Sequence, residues 1–106
     1  MPFNQYHEPP AELPEETRTF ARLILSLIEE AEAIDWYEQR RAVEKDEEVR
    51  SLLRYVQKEE MIHFSLDLEA ILRRNPTWRK IAQTVLFKQD ALIELGEKAE
   101  SALEDE

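Results

Sequence analysis

The feature that most constrains this chain is where its helix breakers lie: one glycine in 106 residues, and prolines only at positions 2, 9, 10, 14 and 76. Glycine and proline are the residues that cost most inside a helix. Between Pro14 and Pro76 the backbone meets neither, and the stretch is rich in Glu, Leu, Ala, Arg and Lys, all good helix formers. The fold class expected is all-α. Pro14 followed by Glu15 and Glu16 marks a helix start, because proline needs no partner in the first turn and carboxylates oppose the helix dipole. This first helix should span about residues 14–42. Asp46, with Glu47 and Glu48 behind it, caps a second helix over about 47–74. At 1.5 Å per residue that helix is roughly 40 Å long. Arg73 and Arg74 suit its negative end, Asn75 can take the left-handed cap conformation, and Pro76 cannot continue it.

Two long helices joined by a short turn make an antiparallel hairpin, half of a four-helix bundle. A lone hairpin buries little, so pairing of two chains is the direct way to cover both apolar stripes. Residues 1–13 read as an extended, irregular arm. Thr77 and Asp90 are candidate caps for two short C-terminal helices, about 78–88 and 91–101, with Leu92 and Leu95 as a partial apolar face. The acidic tail, residues 104–106, is expected to fray. The whole chain, 1–106, reads as a single domain.

The formal net charge of −10 argues against nucleic acid as a partner, because phosphate backbones are bound by basic surfaces. The absence of cysteine excludes disulfides, thiolate metal sites and cysteine nucleophiles, and fits a cytoplasmic setting. The longest apolar stretch, residues 23–28, contains Ser26 and is far too short to cross a membrane. The N-terminus lacks the basic-then-apolar pattern of a signal peptide.

Polar residues sit where a core should be. Helix 1 carries a seam of Phe20, Leu23, Leu27, Glu30, Ile34 and Tyr37, in which Glu30 alone does not suit a buried stripe. Helix 2 has a matching seam of Val49, Leu53, Val56, Glu60, His63, Asp67 and Ala70, beside an apolar row of Leu52, Ile62 and Leu66. A turn centred near residues 45 and 46 sets Glu30 opposite Glu60 and His63. Burying separate carboxylates costs several kcal/mol each unless something positive compensates. A metal ion does so directly. Glu60 and His63 stand three apart on one helix face, so a carboxylate and an imidazole can grip one ion. Ferritin-like di-iron bundles use a lone Glu from each of two helices and Glu-x-x-His from each of the other two. This chain holds one of each, and a two-fold dimer supplies the remainder. The alternative for these residues is a set of solvated salt-bridging faces.

The run from Glu29 to Arg40, with Asp35-Trp36-Tyr37 and Gln39-Arg40 inside it, resembles the helix 1 signature of the encapsulated ferritins, or encapsulin-associated ferritin-like proteins. Glu59-Glu60-Met61-Ile62-His63 resembles their helix 2 motif. His7-Glu8-Pro9 and Glu15-Glu16-Thr17 resemble the family's N-terminal segment, so the likeness spans about residues 7–88. The resemblance implies a ferroxidase that oxidises Fe(II) with dioxygen at a di-iron centre shared by two subunits. It also implies dimers assembled into a ring, typically a decamer, that pass Fe(III) to an encapsulin shell in a prokaryotic nanocompartment. Carried over by position, Glu30, Glu60 and His63 match the iron ligands. Tyr37 and Trp36 match aromatic neighbours of the centre. Glu29 and Glu32 match acidic residues that bind further divalent ions such as calcium. The end of the chain, residues 100–106, lacks the short apolar cargo peptide of stand-alone members, which leaves truncation or fusion to a shell protein as the readings.

In this scheme Glu60 bridges two irons and Glu30 and His63 are terminal ligands. Asp67, one turn beyond His63, is a candidate to orient it. Tyr37 is a candidate hydrogen-bond or electron donor, or else a core tyrosine with a wet hydroxyl. His7, in the arm near Glu8, is expected to bind nothing. Two other functions fit the same scaffold: a manganese or rubrerythrin-like dinuclear oxidoreductase, and a non-catalytic helical assembly module.

Overall fold

A computed structural model describes residues 6–104. A short 3-10 turn at Pro10–Glu12 precedes four helices: α1 Glu15–Val43, α2 Glu47–Arg74, α3 Pro76–Val85 and α4 Leu92–Glu104. The first five residues of the expected arm and the last two of the tail lie outside the described residues. Within the irregular arm, Pro10–Glu12 forms a 3-10 turn, and the Arg18 guanidinium donates to the carbonyl of Pro10, tying the turn to α1.

Pro14 is the extended residue before α1, with Glu15 and Glu16 in the first turn and Arg40 and Arg41 in the last. Both ends therefore carry charges that oppose the helix dipole. The connection to α2 is held by its own side chains. Glu44 Oε2 accepts the backbone N–H groups of Lys45 and Asp46 at 3.1 and 3.0 Å, and Asp46 Oδ1 accepts that of Val49 at 3.0 Å. Asp46 is the cap expected of it.

Asn75 departs from expectation. Its backbone is extended (φ −128°, ψ 93°) rather than left-handed, and its Oδ1 accepts from the Trp78 N–H at 2.9 Å. It therefore caps α3 rather than closing α2. Pro76 is the first residue of that helix, where its fixed φ helps and its missing N–H costs nothing. As a result α3 begins two residues before the expected position, and Thr77 lies inside it. The helix stops at Val85, short of residue 88: Leu86 is already extended (φ −79°, ψ 146°), and Phe87 follows with a positive φ of 60°. α4 runs to Glu104, beyond the expected 101. Asp90 gives its carboxylate to Lys98 Nζ at 2.7 Å.

The chain divides after Ile71 into two compact units. In the second, α3 and α4 pack together, and Leu72, Ala82, Leu95 and Ala99 are buried. Lys80 Nζ donates to the Ala102 carbonyl at 2.9 Å, placing a cation on an orphan acceptor of the last turn of α4. Leu92 does not share the apolar face expected for it with Leu95. It is 82% exposed, while Leu95 is 2% exposed.

The first unit contains the α1–α2 hairpin. No residue of the 29 in α1 is buried. On α2, Leu52, Tyr55, Ile62 and Leu66 form an exposed apolar row at helical spacing. Gln57, by contrast, is a polar side chain only 3% exposed. Among the described residues no helix is long and apolar enough to cross a membrane.

Candidate metal centre

Glu30 lies midway along α1, where the seam pattern sets it toward α2. Its carboxyl is in contact with Asp67 and within the field of Glu60 and Glu29. Its pKa is pushed up from the ordinary 4.5 to about 7, first by burial, next by the contact with Asp67, then by the charges of Asp67, Glu60 and Glu29. Glu30 Oε2 and Asp67 Oδ2 are both buried and have no hydrogen-bond donor. Two ionised carboxylates are acceptors only, so the contact becomes a bond only when a proton is shared. Otherwise a cation must sit between them. These residues suit a metal ion: hard oxygen donors, crowded negative charge and unfilled buried acceptors.

Glu60 and His63 lie one turn apart on α2. Their closest atoms, Oε1 and Nδ1, are 4.0 Å apart, too far for a hydrogen bond and on the scale of two ligands flanking one ion. The Glu60 side chain is 24% exposed and that of His63 is 51% exposed, so His63 stands at the rim rather than in the seam. Among the described residues no three acidic or histidine side chains converge tightly enough to hold an ion. Glu30, Glu60 and Asp67 share one electrostatic environment, while His63 adjoins Glu60 from outside. Asp67, expected to orient His63, makes its side-chain contact with Glu30 instead.

The remaining candidates are more dispersed. Tyr37 lies under the Arg40 guanidinium, whose carbon is 4.9 Å from the ring centroid, a cation–π contact along one face of α1. Trp36 is half exposed. Glu29 is exposed and Glu32 partly buried, and they gather no third ligand among the described residues. His7 borders an apolar hollow of about 280 Å³ with Tyr6, Leu13, Phe20 and Ile24.

Gln57 was not singled out by the sequence pattern. Its Nε2 donates to the Ile34 carbonyl at 3.0 Å and to Glu38 Oε1 at 2.9 Å, and its Oε1 accepts from Arg41 Nη1 at 2.7 Å. The available signal was its position, one turn before Glu60 on the same stripe. Asp67 stands seven residues after Glu60 on that stripe, a spacing that puts it on the hairpin face without naming its partner.

Comparison with known proteins bears on the same residues. The model of the EncFtn-like family matches residues 5–89. The chain is 40% identical over 102 residues to a "Ferritin-like protein" of Thermotoga maritima, covering 96% of this chain and 90% of that one. It is 37% identical over 99 residues to an "Encapsulated ferritin-like protein" of Rhodospirillum rubrum, covering 93% of this chain and 70% of that one. A crystal structure of a protein from Nitrosomonas europaea superposes with a TM-score of 0.79 at 40% identity, over 82% of this chain and 96% of that one. The all-helical hairpin, its crowded carboxylates and these likenesses agree: the chain belongs to the EncFtn-like family of encapsulated ferritins and is an iron-related, ferritin-like protein.

Proposed function

We propose that this protein is a ferroxidase, with Fe(II) and dioxygen as substrates, whose two-iron centre is completed by a second copy of the chain. One observation carries the reading: Glu30 and Asp67 present buried oxygens with no donor, beside Glu60, in a chain of ferritin-like ancestry. The iron supplies the redox chemistry, two Fe(II) giving two electrons to dioxygen, which with two protons becomes hydrogen peroxide. The chain's own residues hold and select the substrate. Glu60 is the bridging carboxylate, and Glu30 and His63 are terminal ligands. Carboxylate oxygens suit Fe(II) and Fe(III) alike, and the imidazole adds a borderline nitrogen donor. Glu30 must release its proton as the ion arrives, and Asp67 is the group against which that proton is held.

Two features support completion by a second copy. The 29-residue α1 buries no side chain, and the row Leu52, Tyr55, Ile62 and Leu66 on α2 is exposed. A two-fold partner covers apolar surface and doubles the donor set. By family likeness, the dimers assemble into a decameric ring that serves an encapsulin shell, inside the nanocompartment. On the same ground, Tyr37 and Trp36 are aromatic neighbours of the centre, and Glu29 and Glu32 hold a further divalent ion such as calcium.

The test is aerobic addition of Fe(II) to metal-stripped protein, following ferric absorbance, with Glu60→Ala and His63→Ala in parallel. Oxidation faster than in protein-free buffer, lost in both variants, supports the reading. A wild-type rate equal to buffer rejects it and leaves a non-catalytic assembly module.

A further inference from the structure

Gln57 is the one buried polar side chain among the described residues, and it spends its hydrogen bonds across the hairpin rather than along its own helix. One amide N–H goes to a main-chain carbonyl of α1, Ile34, one turn beyond Glu30. Its other contacts, Glu38 and Arg41, are the next residues on that face of α1. Arg41 closes the circuit by pairing with Glu38 at 3.1 Å. Every group in this circuit that leaves water has a partner, the condition under which a buried polar network specifies one arrangement.

We infer that Gln57 is a positioning residue that fixes how α1 and α2 face each other at the level of Glu30, Glu60 and Asp67. The three-residue connection at 44–46 pins one end of the hairpin, but it does not set the rotation of α1 about its own axis halfway along. Apolar packing sets it weakly, since no residue of α1 is buried. A contact to a main-chain carbonyl has no such latitude. If α1 rotates or slides, the Gln57 amide and the Ile34 carbonyl part company inside a region from which water is largely excluded. Buried polar residues at helix seams are well attested as register devices. Glu60 lies three residues after Gln57 and Glu30 four before Ile34, so the contact is adjacent to the proposed centre on both helices. For its functional consequence this rests on the ferroxidase reading above.

The experiment uses the full chain with Gln57→Leu, and Gln57→Met as the unbranched alternative. The protein has no cysteine, so Ala31→Cys and Ser65→Cys, both exposed positions on α1 and α2, take nitroxide labels without interference. Labelled chains are diluted into unlabelled ones, and the intrachain distance is read by pulsed electron paramagnetic resonance without metal. Separately, unlabelled protein is titrated with Co(II), whose visible absorbance reports both affinity and coordination geometry. The expected result is a sharp distance distribution that broadens or shifts in the Gln57 variants while helicity is kept. Co(II) binding should weaken about ten-fold with an altered spectrum, as for loss of a group that supports metal ligands. Unchanged distances in the variants overturn the inference, as does an unchanged Co(II) affinity and spectrum despite shifted distances. Loss of helicity in both variants also overturns it, because Gln57 would then be needed for folding as such. If wild-type protein binds no Co(II) but the distances still shift, the ferroxidase reading fails and the positioning role of Gln57 stands.

Discussion

Replacing Glu30 with glutamine should stabilise the metal-free protein at alkaline pH while removing a metal ligand. The folded-state pKa of Glu30 is raised from 4.5 to about 7, with burial the largest cause. An acid whose pKa rises on folding binds its proton more tightly in the folded chain. Its contribution is therefore fully present below about pH 4.5 and is lost as pH climbs through about 7. A shift of this size corresponds to about 3 kcal/mol if taken whole. Glu30 keeps partial contact with water, so screening reduces the expected effect to about 1–2 kcal/mol. Glutamine keeps the shape, removes the charge and can donate an N–H to Asp67. Urea unfolding in the presence of a chelator, at pH 5 and pH 8, measures the effect. Glu30→Gln should exceed wild type by less than about 1 kcal/mol at about pH 5 and by about 1–2 kcal/mol at about pH 8. With saturating metal the order should reverse, because a ligand that binds only the folded state stabilises it by mass action. Equal destabilisation by glutamine at both pH values would refute the reasoning, since the carboxylate would then be contributing a favourable contact rather than an unpaired charge.

Three further outcomes are expected. Leu66→Asp, on the exposed row of α2, should leave monomer helicity unchanged but abolish metal-promoted assembly, read as native mass with and without Fe(II). Asn75→Ala should cost about 1 kcal/mol by removing the side-chain acceptor of the Trp78 N–H, seen in chemical denaturation of the whole chain. Phe87→Gly should stabilise by up to about 1 kcal/mol, because the residue is fully exposed and holds a left-handed backbone that glycine adopts without strain; a lower melting temperature would show that the phenyl ring makes a contact worth more than the backbone relief.

The long helices were legible because their signals are local. Asp46 caps α2 with its own carboxylate, and Pro14 opens α1 through properties of proline alone. Asn75 was misjudged for an instructive reason. The same side chain serves a left-handed helix end or the N-cap of the following helix, and Pro76 decides between them by being ready to start a helix as well as unable to continue one. Leu92 failed because a single leucine in a short helix does not define a face, whereas Leu95 and Ala99, one turn apart, do. In the site, the residues set by spacing along one helix were readable: Glu60 and His63 fall one turn apart as expected. What spacing could not supply was the partner chosen across the hairpin. Asp67 pairs with Glu30 rather than serving His63, and Gln57 occupies a seam position that hydropathy marks as unfavourable. Both depend on the rotation of one helix against another, which no pattern within either helix encodes.

That dependence also bears on the proposal that two chains complete the centre. A helix face presents a given side-chain row to one neighbour only. Glu30, Glu60 and Asp67 lie close enough to repel one another, yet His63, three residues from Glu60, is already turned half toward water. Three residues on a helix are separated by about 300° of rotation, which leaves their directions some 60° apart. One of the pair can face α1 squarely only if the other points past it. In this hairpin Glu60 turns toward α1 and His63 points past it. An ion seated between Glu60 and His63 sits at the edge of the hairpin, where the exposed row of α2 begins. A second chain laid against that edge would meet the ion with the same pair of ligands turned through the two-fold axis, and would cover Ile62 and Leu66 in the same step. On the proposed dimer, the open geometry of the acids and the uncovered apolar surface would be two consequences of one arrangement, and either would be costly without the other.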